Sequence, residues 1–431
     1  MRYKPLDNTL FKNNRETFCN QMDENSIAIF YANDQCPRNG DQYHPYRQSS
    51  AFFYLTGVEQ EKSILMLAPQ SPNHQLREAL FLLKTNETLE IWEGHKYTFE
   101  EATTISGIKN VFLLDDFDAS LKELMSYFDK VYFNSNDYIK FFPEVESRET
   151  RLGMGVQKCY PLHQYRRAAP LLTKQRLIKS QEEIDLLKTA CKITNEAFRR
   201  VLSFTTPGVF EYEIEAEITH EFIRQTSTGH GYAPIIASGK NACVLHYTEN
   251  DKVCGSDDLL LMDFGAEYAN YTADMSRTIP VNGKFSQRQK ACYNAVLNVM
   301  KEVKKLYVPG NTIYDINESA NRLMEEEMIG LGLIAKDAQR NSDATQALLK
   351  KYFMHGSSHF LGLDVHDVGA KHEVLKPGMV LTCEPGIYIQ EEHIGIRIEN
   401  DILVTDGEPL DLMEYFPIEV EEIEKLMQAK K

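Results

Sequence analysis

Short apolar runs separated by polar stretches fill the first part of the chain, and their spacing predicts alternating strands and helices. One run, at 119–128, has helical spacing and is predicted to form a short amphipathic helix. The runs predicted to form strands are 26–31, 51–55, 63–68, 79–83, 111–114 and 131–134. Such alternation is typical of an α/β domain. The stretch at about 145–180 has little periodicity and is predicted to be a connector.

The pattern after residue 180 occurs twice. Ser180 and Ser286 each open a capping box, in which the serine side chain accepts from a backbone N–H three residues on and a Glu or Gln side chain reaches back. Each serine begins a predicted amphipathic helix. Each helix leads into the motif PGxxxY(E/D)I, at 207–214 and at 309–316, and then into a second helical run.

The two halves also share a pattern of acidic residues. An apolar strand ends in an acid followed closely by glycine, at Asp263 and again at Glu384. A second strand in each half carries another acid, Asp274 or Glu399. We therefore predict that residues at about 180–405 form one domain of two αα-ββ halves related by pseudo-symmetry.

Four acids in such positions need an explanation. A single buried acid is usually explained by one salt bridge or hydrogen bond, because burying an unpaired carboxylate costs several kcal/mol. Four carboxylates that converge would repel one another strongly at low dielectric. Divalent cations relieve this repulsion, so the pattern predicts a site for two such ions.

A segment dense in histidine and glycine offers the remaining ligand. It contains three of the 12 histidines of the chain, His355, His359 and His366. Oxygen ligands with one imidazole favour Mn²⁺ or a similar ion over a thiolate zinc site. The zincin motif fails because His220 has no second histidine at the required spacing. Asp263-Phe-Gly spells a kinase motif, but the other kinase motifs do not precede it.

Composition excludes several classes of function. The formal charge of −16 argues against non-specific binding to nucleic acid or to anionic membranes. Apolar runs fall short of the ~18–20 residues that span a bilayer, and the first 20 residues lack the order of a secretory signal. The 8 cysteines are scattered. We expect reduced thiols and a cytoplasmic protein.

In combination these motifs resemble the pita-bread metallopeptidases, and within them aminopeptidase P, the Xaa-Pro aminopeptidases. The stretches that carry the resemblance are 46–57, 90–94, 245–250, 263–274, 355–367, 384–388 and 395–399. They cover nearly the whole chain. The resemblance implies a mixed α/β (α+β) protein, in which an N-terminal creatinase-like α/β domain at 1–165 precedes a pita-bread αα-ββ catalytic domain with pseudo-two-fold symmetry at 166–431.

The resemblance also implies a centre of two metal ions, usually Mn²⁺. Its ligands would be Asp263, Asp274, His359, Glu384 and Glu399, with Asp274 and Glu399 bridging the ions. Two ions about 3.5–4 Å apart lower the pKa of a shared water, and the resulting bridging hydroxide attacks the Xaa-Pro bond. Glu384 would carry a proton to the departing proline nitrogen.

Further roles follow from the same resemblance. His246 and His366 would steady the substrate and the developing oxyanion, and His355 would support the pocket around His359. Asp263 would also hold the free amino group of the substrate.

Three residues are implied in substrate binding. Arg397 and Tyr388 match positions that shape the proline pocket or its surroundings. Trp92 is the single tryptophan, and a typical tryptophan belongs to a core. In the family the matching tryptophan reaches the site of a neighbouring subunit, which would require a homo-oligomer, either a dimer or a tetramer.

The leading hypothesis is therefore an enzyme that removes the N-terminal residue from peptides with proline in the second position. One alternative is prolidase, which cleaves only Xaa-Pro dipeptides with the same ligands. A second is a pita-bread protein that binds partners without catalysis, although such proteins typically lose metal ligands. A third is a metal-free amidinohydrolase like creatinase, which would not need this set of acids.

Overall fold

The computed structural model describes residues 2–336 and 342–429. The chain forms two compact units, Lys4–Arg176 and Leu177–Lys431, and Met1–Tyr3 belongs to the second. The boundary predicted between residues 165 and 166 stays a prediction. Among the described residues, no helix combines the length and the apolarity that crossing a membrane requires.

The N-terminal unit is built from the following elements: α1 Thr9–Cys19, β1 Ser26–Tyr31, β2 Pro37–Asn39, β3 Gln42–Tyr43, α2 Ser50–Thr56, β4 Ile64–Leu67, β5 Glu78–Leu82, α3 Glu87–Glu93, α4 Phe99–Ser106, β6 Asn110–Leu113, α5 Phe117–Met125, β7 Lys130–Phe133, α6 Arg148–Cys159, β8 Gln164–Arg167 and α7 Ala169–Arg176.

A six-stranded sheet organises this unit, in the order β6-β5-β4-β1-β7-β8. The pairs β1–β4 and β4–β5 are antiparallel, and the other three pairs are parallel. Every residue of β1 is buried, and its rings contact helices, Phe30 against Phe18 of α1 and Tyr31 against Phe117 of α5. The predicted α/β class and five of the six predicted strands are thereby confirmed, as is the helix predicted at 119–128.

The predicted strand at 51–55 is wrong, because these residues lie in the helix α2. The Ser49 side chain accepts a hydrogen bond from the backbone N–H of Phe52, and Gly57 ends the helix in a left-handed conformation at φ 67°. All of the predicted stretch is buried. Periodicity cannot separate a strand from a helix in an apolar run this short.

The predicted connector at 145–180 is also wrong, because it contains α6, β8 and α7. The helix α6 buries only three residues, Arg148, Gly153 and Val156, so its sequence shows little periodicity. The strand β8 pairs with β7 at the edge of the sheet, and most of its residues are exposed. Because backbone hydrogen bonds hold this edge strand, its sequence shows no alternating apolar pattern.

The C-terminal unit is built from the following elements: α8 Gln181–Phe204, α9 Glu211–Arg224, β9 Gly229–His230, β10 Ile235–Ser238, β11 Leu259–Asp263, β12 Ala266–Tyr268, β13 Tyr271–Thr272, β14 Ser276–Pro280, α10 Gln287–Val303, α11 Ile313–Gly330, α12 Asp343–Tyr352, β15 Val380–Cys383, β16 Gly386–Ile389, β17 Ile394–Arg397, β18 Asn400–Leu403, β19 Leu410–Asp411 and α13 Val420–Gln428.

The predicted αα-ββ halves are present in this unit. Ser180 and Ser286 form complete capping boxes at the starts of α8 and α10. The helix pair α8–α9 in the first half corresponds to α10–α11 in the second. The antiparallel pair β11–β14 likewise corresponds to β15–β18, and each pair belongs to a three-stranded sheet. The order of elements therefore repeats as the sequence motifs predict.

Candidate metal centre

The ends of the paired strands bring the four predicted acids into one region. Asp263 is the last residue of β11, and Asp274 lies two residues ahead of β14. In the second half, Glu384 directly follows β15 and Glu399 directly precedes β18. The halves meet at Ser276, whose carbonyl accepts from the backbone N–H of Glu399 at 3.1 Å.

His359 lies among these acids. Ligand atoms of Asp274, His359 and Glu399 all lie within 4.8 Å of one another. The Nε2 atom of His359 is 3.3 Å from Asp274 Oδ2 and 3.6 Å from Glu384 Oε1. Its Nδ1 faces the carbonyl of Phe360 at 3.0 Å. Because a carbonyl only accepts, Nδ1 carries a proton, and Nε2, which faces the acids, is the nitrogen that would bind a metal ion.

Burial and mutual repulsion act on the acids of this cluster. Burial raises the pKa of Glu384 to about 7, with Asp274 adding to the shift and the charge of His359 opposing it. Burial, together with Asp274 and Glu384, raises the pKa of Glu399 well above its usual value. Burial and Asp263 raise the pKa of Asp274. Cations bound near these carboxylates would offset their mutual repulsion.

Asp263 differs from the other three acids, because it has a permanent countercharge. Arg397 Nη2 lies 2.6 Å from Asp263 Oδ2. The hydroxyl of Tyr232 lies 2.7 Å from Asp263 Oδ1 and 2.6 Å from Asp274 Oδ1, so it can donate to either carboxylate. The sequence reasoning missed Tyr232, and no motif marks this tyrosine, which follows β9 in an irregular segment.

A chain of hydrogen bonds supports the acids. Arg397 donates from Nη1 to the hydroxyl of Tyr388 at 3.0 Å and from Nε to Ser276 at 2.7 Å. The Ser276 hydroxyl donates to Glu399 at 2.7 Å. Arg397 and Tyr388 are both buried. Arg397 contacts Asp263 directly, and Tyr388 contacts Arg397, so both support the cluster.

His355 belongs to the same chain. Its Nδ1 faces the Gly356 carbonyl at 2.8 Å and therefore carries the proton, so Nε2 accepts from the Tyr388 hydroxyl at 2.8 Å. Burial, and the positive charge of Arg397, lower the pKa of His355 to about 4. His355 is therefore a neutral residue at physiological pH.

The two remaining predicted histidines are exposed. The ring of His366 stands perpendicular to that of His359, with centroids 4.5 Å apart. His246 lies in the segment after β10, near enough for its charge to act on His355. His366 therefore lies beside His359, and the exposed His246 lies close enough to act on His355.

Trp92 lies in the N-terminal unit, on α3. This helix buries none of its residues, and the indole is 83% exposed. The interpretation of Trp92 as a core residue is therefore wrong.

The donor set fits divalent cations. It offers carboxylate oxygens from both halves of the unit and one imidazole nitrogen whose proton lies on the far side of the ring. Only Asp263 among the four acids is paired with an arginine in the described part of the chain. Oxygen donors with a single imidazole suit ions such as Mn²⁺.

Comparisons with known proteins show what this chain is similar to. Residues 185–406 match the model of Metallopeptidase family M24, and residues 11–132 match that of the Aminopeptidase P, N-terminal domain. The Xaa-Pro aminopeptidase of Escherichia coli (strain K12) is 36% identical, over 97% of this chain and 97% of its own length. That of Haemophilus influenzae is 35% identical, over 97% and 96%.

Solved structures are similar over the same length. The structure of aminopeptidase P from Escherichia coli with the inhibitor Pro-Leu superposes with a TM-score of 0.90 at 34% identity, covering 99% of both chains. That of Pseudomonas aeruginosa aminopeptidase PepP superposes with a TM-score of 0.89 at 33% identity, again covering 99% of both.

Proposed function

The chain belongs to metallopeptidase family M24 and is a metal-dependent aminopeptidase that acts on Xaa-Pro bonds, and we propose which of its residues carry out the reaction. The prolidase alternative is not favoured, since the relatives matched over nearly their full length are Xaa-Pro aminopeptidases. The non-catalytic binding protein and the metal-free amidinohydrolase are not favoured either, for the same reason.

Five residues hold two divalent ions in this proposal: Asp263, Asp274, His359, Glu384 and Glu399. Support comes from the approach of ligand atoms of Asp274, His359 and Glu399 to within 4.8 Å. Ions bound there would lower the pKa of a water molecule so that it attacks the carbonyl at neutral pH. Glu384, whose Oε1 lies 3.6 Å from His359 Nε2, is assigned to carry a proton to the departing nitrogen.

Residues around the cluster bind and orient the peptide. His246 and His366 steady the substrate and the oxyanion, which the exposure of both rings and the contact of His366 with His359 support. His355 supports the pocket around His359, and Tyr388 and Arg397 shape the proline pocket. The chain of hydrogen bonds that joins the three residues supports these roles. Asp263 also holds the substrate amino group.

The finer assignments are Mn²⁺ as the ion, the cytoplasm as the location and a homo-oligomer as the assembly. The oxygen-rich donor set supports Mn²⁺, and 8 free cysteines favour a reducing compartment. The exposed Trp92, with Ile91 beside it at 81% exposure, supports a site completed by a neighbouring subunit.

The observation that carries the proposal is the convergence of acids from both halves on His359. The test is elemental analysis of the purified protein, together with hydrolysis of an Xaa-Pro-Yaa tripeptide, an Xaa-Pro dipeptide and an Xaa-Ala-Yaa control. We expect two ions per chain and turnover of the proline tripeptide. Turnover of the dipeptide alone, or full turnover after chelation, would contradict the proposal.

The subunit role of Trp92 has its own test. Sedimentation equilibrium should show an oligomer. Trp92→Ala should lower kcat/KM for the tripeptide without changing the metal content. A fully active Trp92→Ala oligomer would remove Trp92 from the site.

A further inference from the structure

Glu211, the first residue of α9, has a fully buried carboxylate that accepts four hydrogen bonds. Its Oε1 accepts from the backbone N–H of Ser238 at 2.7 Å and from Asn241 Nδ2 at 3.2 Å. Its Oε2 accepts from the hydroxyl of Tyr247 at 2.7 Å and from the backbone N–H of Lys252 at 3.0 Å. Backbone and uncharged side-chain donors thus satisfy both oxygens of this buried group.

These donors lie in and on both sides of one segment, residues 239–251, which we call the His246 loop. Asn250 adds a second anchor near its end. Its Oδ1 accepts from the backbone N–H of Ile236 at 2.9 Å, and its Nδ2 donates to Glu215 Oε2 at 2.8 Å. Glu215 lies one turn after Glu211 on α9. One helix therefore holds the loop at both ends, while His246 itself is exposed.

The corresponding position in the second half of the unit shows which kind of side chain is sufficient for helix packing. In the repeated motif PGxxxY(E/D)I, the counterpart of Glu211 is Ile313, which is also the first residue of its helix, α11, and is also buried. An apolar side chain therefore satisfies the helix packing. Burying a carboxylate instead is costly unless it makes hydrogen bonds. The half that bears this cost is the half that carries His246.

We propose that Glu211 is a positioning residue, which fixes the His246 loop so that His246 meets the substrate. The inference rests on the proposed role of His246. A loop held by four hydrogen bonds and by Asn250 keeps an exposed imidazole in one place, and a misplacement of about 1 Å can cost about 100-fold in rate.

The test compares Glu211→Gln with Glu221→Gln. Glu221 is a matched control, because it is buried on the same helix and is bound by Arg224 and Gln225 near the other end. Glu211→Gln keeps the size but loses acceptor capacity. We expect it to lower kcat by about 10- to 100-fold with two ions still bound, and Glu221→Gln to stay near the parent.

A double variant separates positioning from general damage. In a His246→Ala background, Glu211→Gln should change kcat by less than about two-fold, since residues that act as a unit are non-additive. Tyr247→Phe, which removes one donor, should show a smaller loss of about five-fold, also absent in that background. It serves as the second variant if Glu211→Gln does not fold.

The outcomes are distinguishable. A His246→Ala enzyme with the parent's kcat would refute the role of His246 itself. If His246→Ala lowers kcat, and Glu211→Gln then lowers it by the same further factor in the double variant, the positioning role alone is refuted. A Glu211→Gln enzyme that loses metal, or one as active as the Glu221→Gln control, would also refute it.

Discussion

Among single residues, Asp274 offers the most direct test of whether the negative charge of the cluster binds metal ions. Its carboxylate lies beside His359 and Tyr232, and its backbone N–H donates to Asp401 at 3.2 Å. Asp274→Asn keeps this shape but removes the charge. We expect one bound ion instead of two and the loss of most activity, measured by elemental analysis and the tripeptide assay.

The control for this change is Asp411→Asn, another buried acid, which pairs with Lys304. It should leave the metal content intact. Full activity of Asp274→Asn with two ions bound would contradict the assignment of Asp274 as a ligand.

His366 is predicted to act on the substrate and not on the metal. Its ring contacts His359 edge to face, and its side chain is exposed. His366→Ala should retain both ions and lower kcat by ~10²–10⁴-fold, the range for a lost catalytic group. His372→Ala, at a nearby exposed histidine, is the control. A parallel loss of metal would instead make His366 a ligand.

His230 gives the fold a dependence on pH. Burial beside Phe222 lowers its pKa from 6.5 to about 4. The unfolded chain therefore binds this proton more readily, so stability is full above pH 6.5 and falls as the pH drops toward 4. Between pH 7 and 5 the loss is up to about 2 kcal/mol. His230→Gln should flatten this slope in urea titrations; an unchanged slope would show that His230 does not contribute.

The acids could be predicted from the sequence, because each lies at a strand end that recurs in the repeated halves. Their partners could not. Tyr232 and Arg397 approach Asp263 from segments far away in the chain. A single sequence does not show that Tyr232 and Arg397 lie close to Asp263. The roles of these residues remain predictions.

At the scale of elements, prediction worked where a side-chain pattern extends over the element. The capping boxes at Ser180 and Ser286 and the strand at 26–31 are examples. It failed for α2, a short helix with apolar residues on every side, and for β8, which backbone pairing holds at a sheet edge. Tertiary contacts decide such segments, and local sequence does not record them.

One ion pair links the start of α8 to the segment that carries His359 and His366. Lys179 Nζ lies 3.1 Å from Asp367 Oδ2, and both side chains are only 1% exposed. Asp367→Ala leaves the buried ammonium group of Lys179 without its carboxylate partner, so we expect the free energy of unfolding to fall by about 3–5 kcal/mol. The double variant Lys179→Met with Asp367→Leu should lose much less, because no charge stays buried. Equal losses in denaturant titrations would contradict this account.

At the scale of the whole molecule, metal binding and folding of the C-terminal unit should be linked. The proposed ligands come from both pseudo-symmetric halves, from Asp263 in the first to Glu399 in the second. Ions shared between the halves would join them. A folded unit without ions keeps several buried carboxylates close together, and their repulsion opposes folding.

Chelation should therefore lower the melting temperature. An ion present at about 100 times its Kd stabilises the folded state by about 2.7 kcal/mol, provided the unfolded chain does not bind it. The difference in Tm between metal-loaded and chelated protein should grow as the pH rises, because protons compete with the ions for the carboxylates. Differential scanning calorimetry with EDTA, and then with added Mn²⁺, measures it. When Mn²⁺ is added back, Tm should rise less for Asp274→Asn than for the parent. A Tm that chelation does not change would mean that these acids lie close together without holding a metal ion.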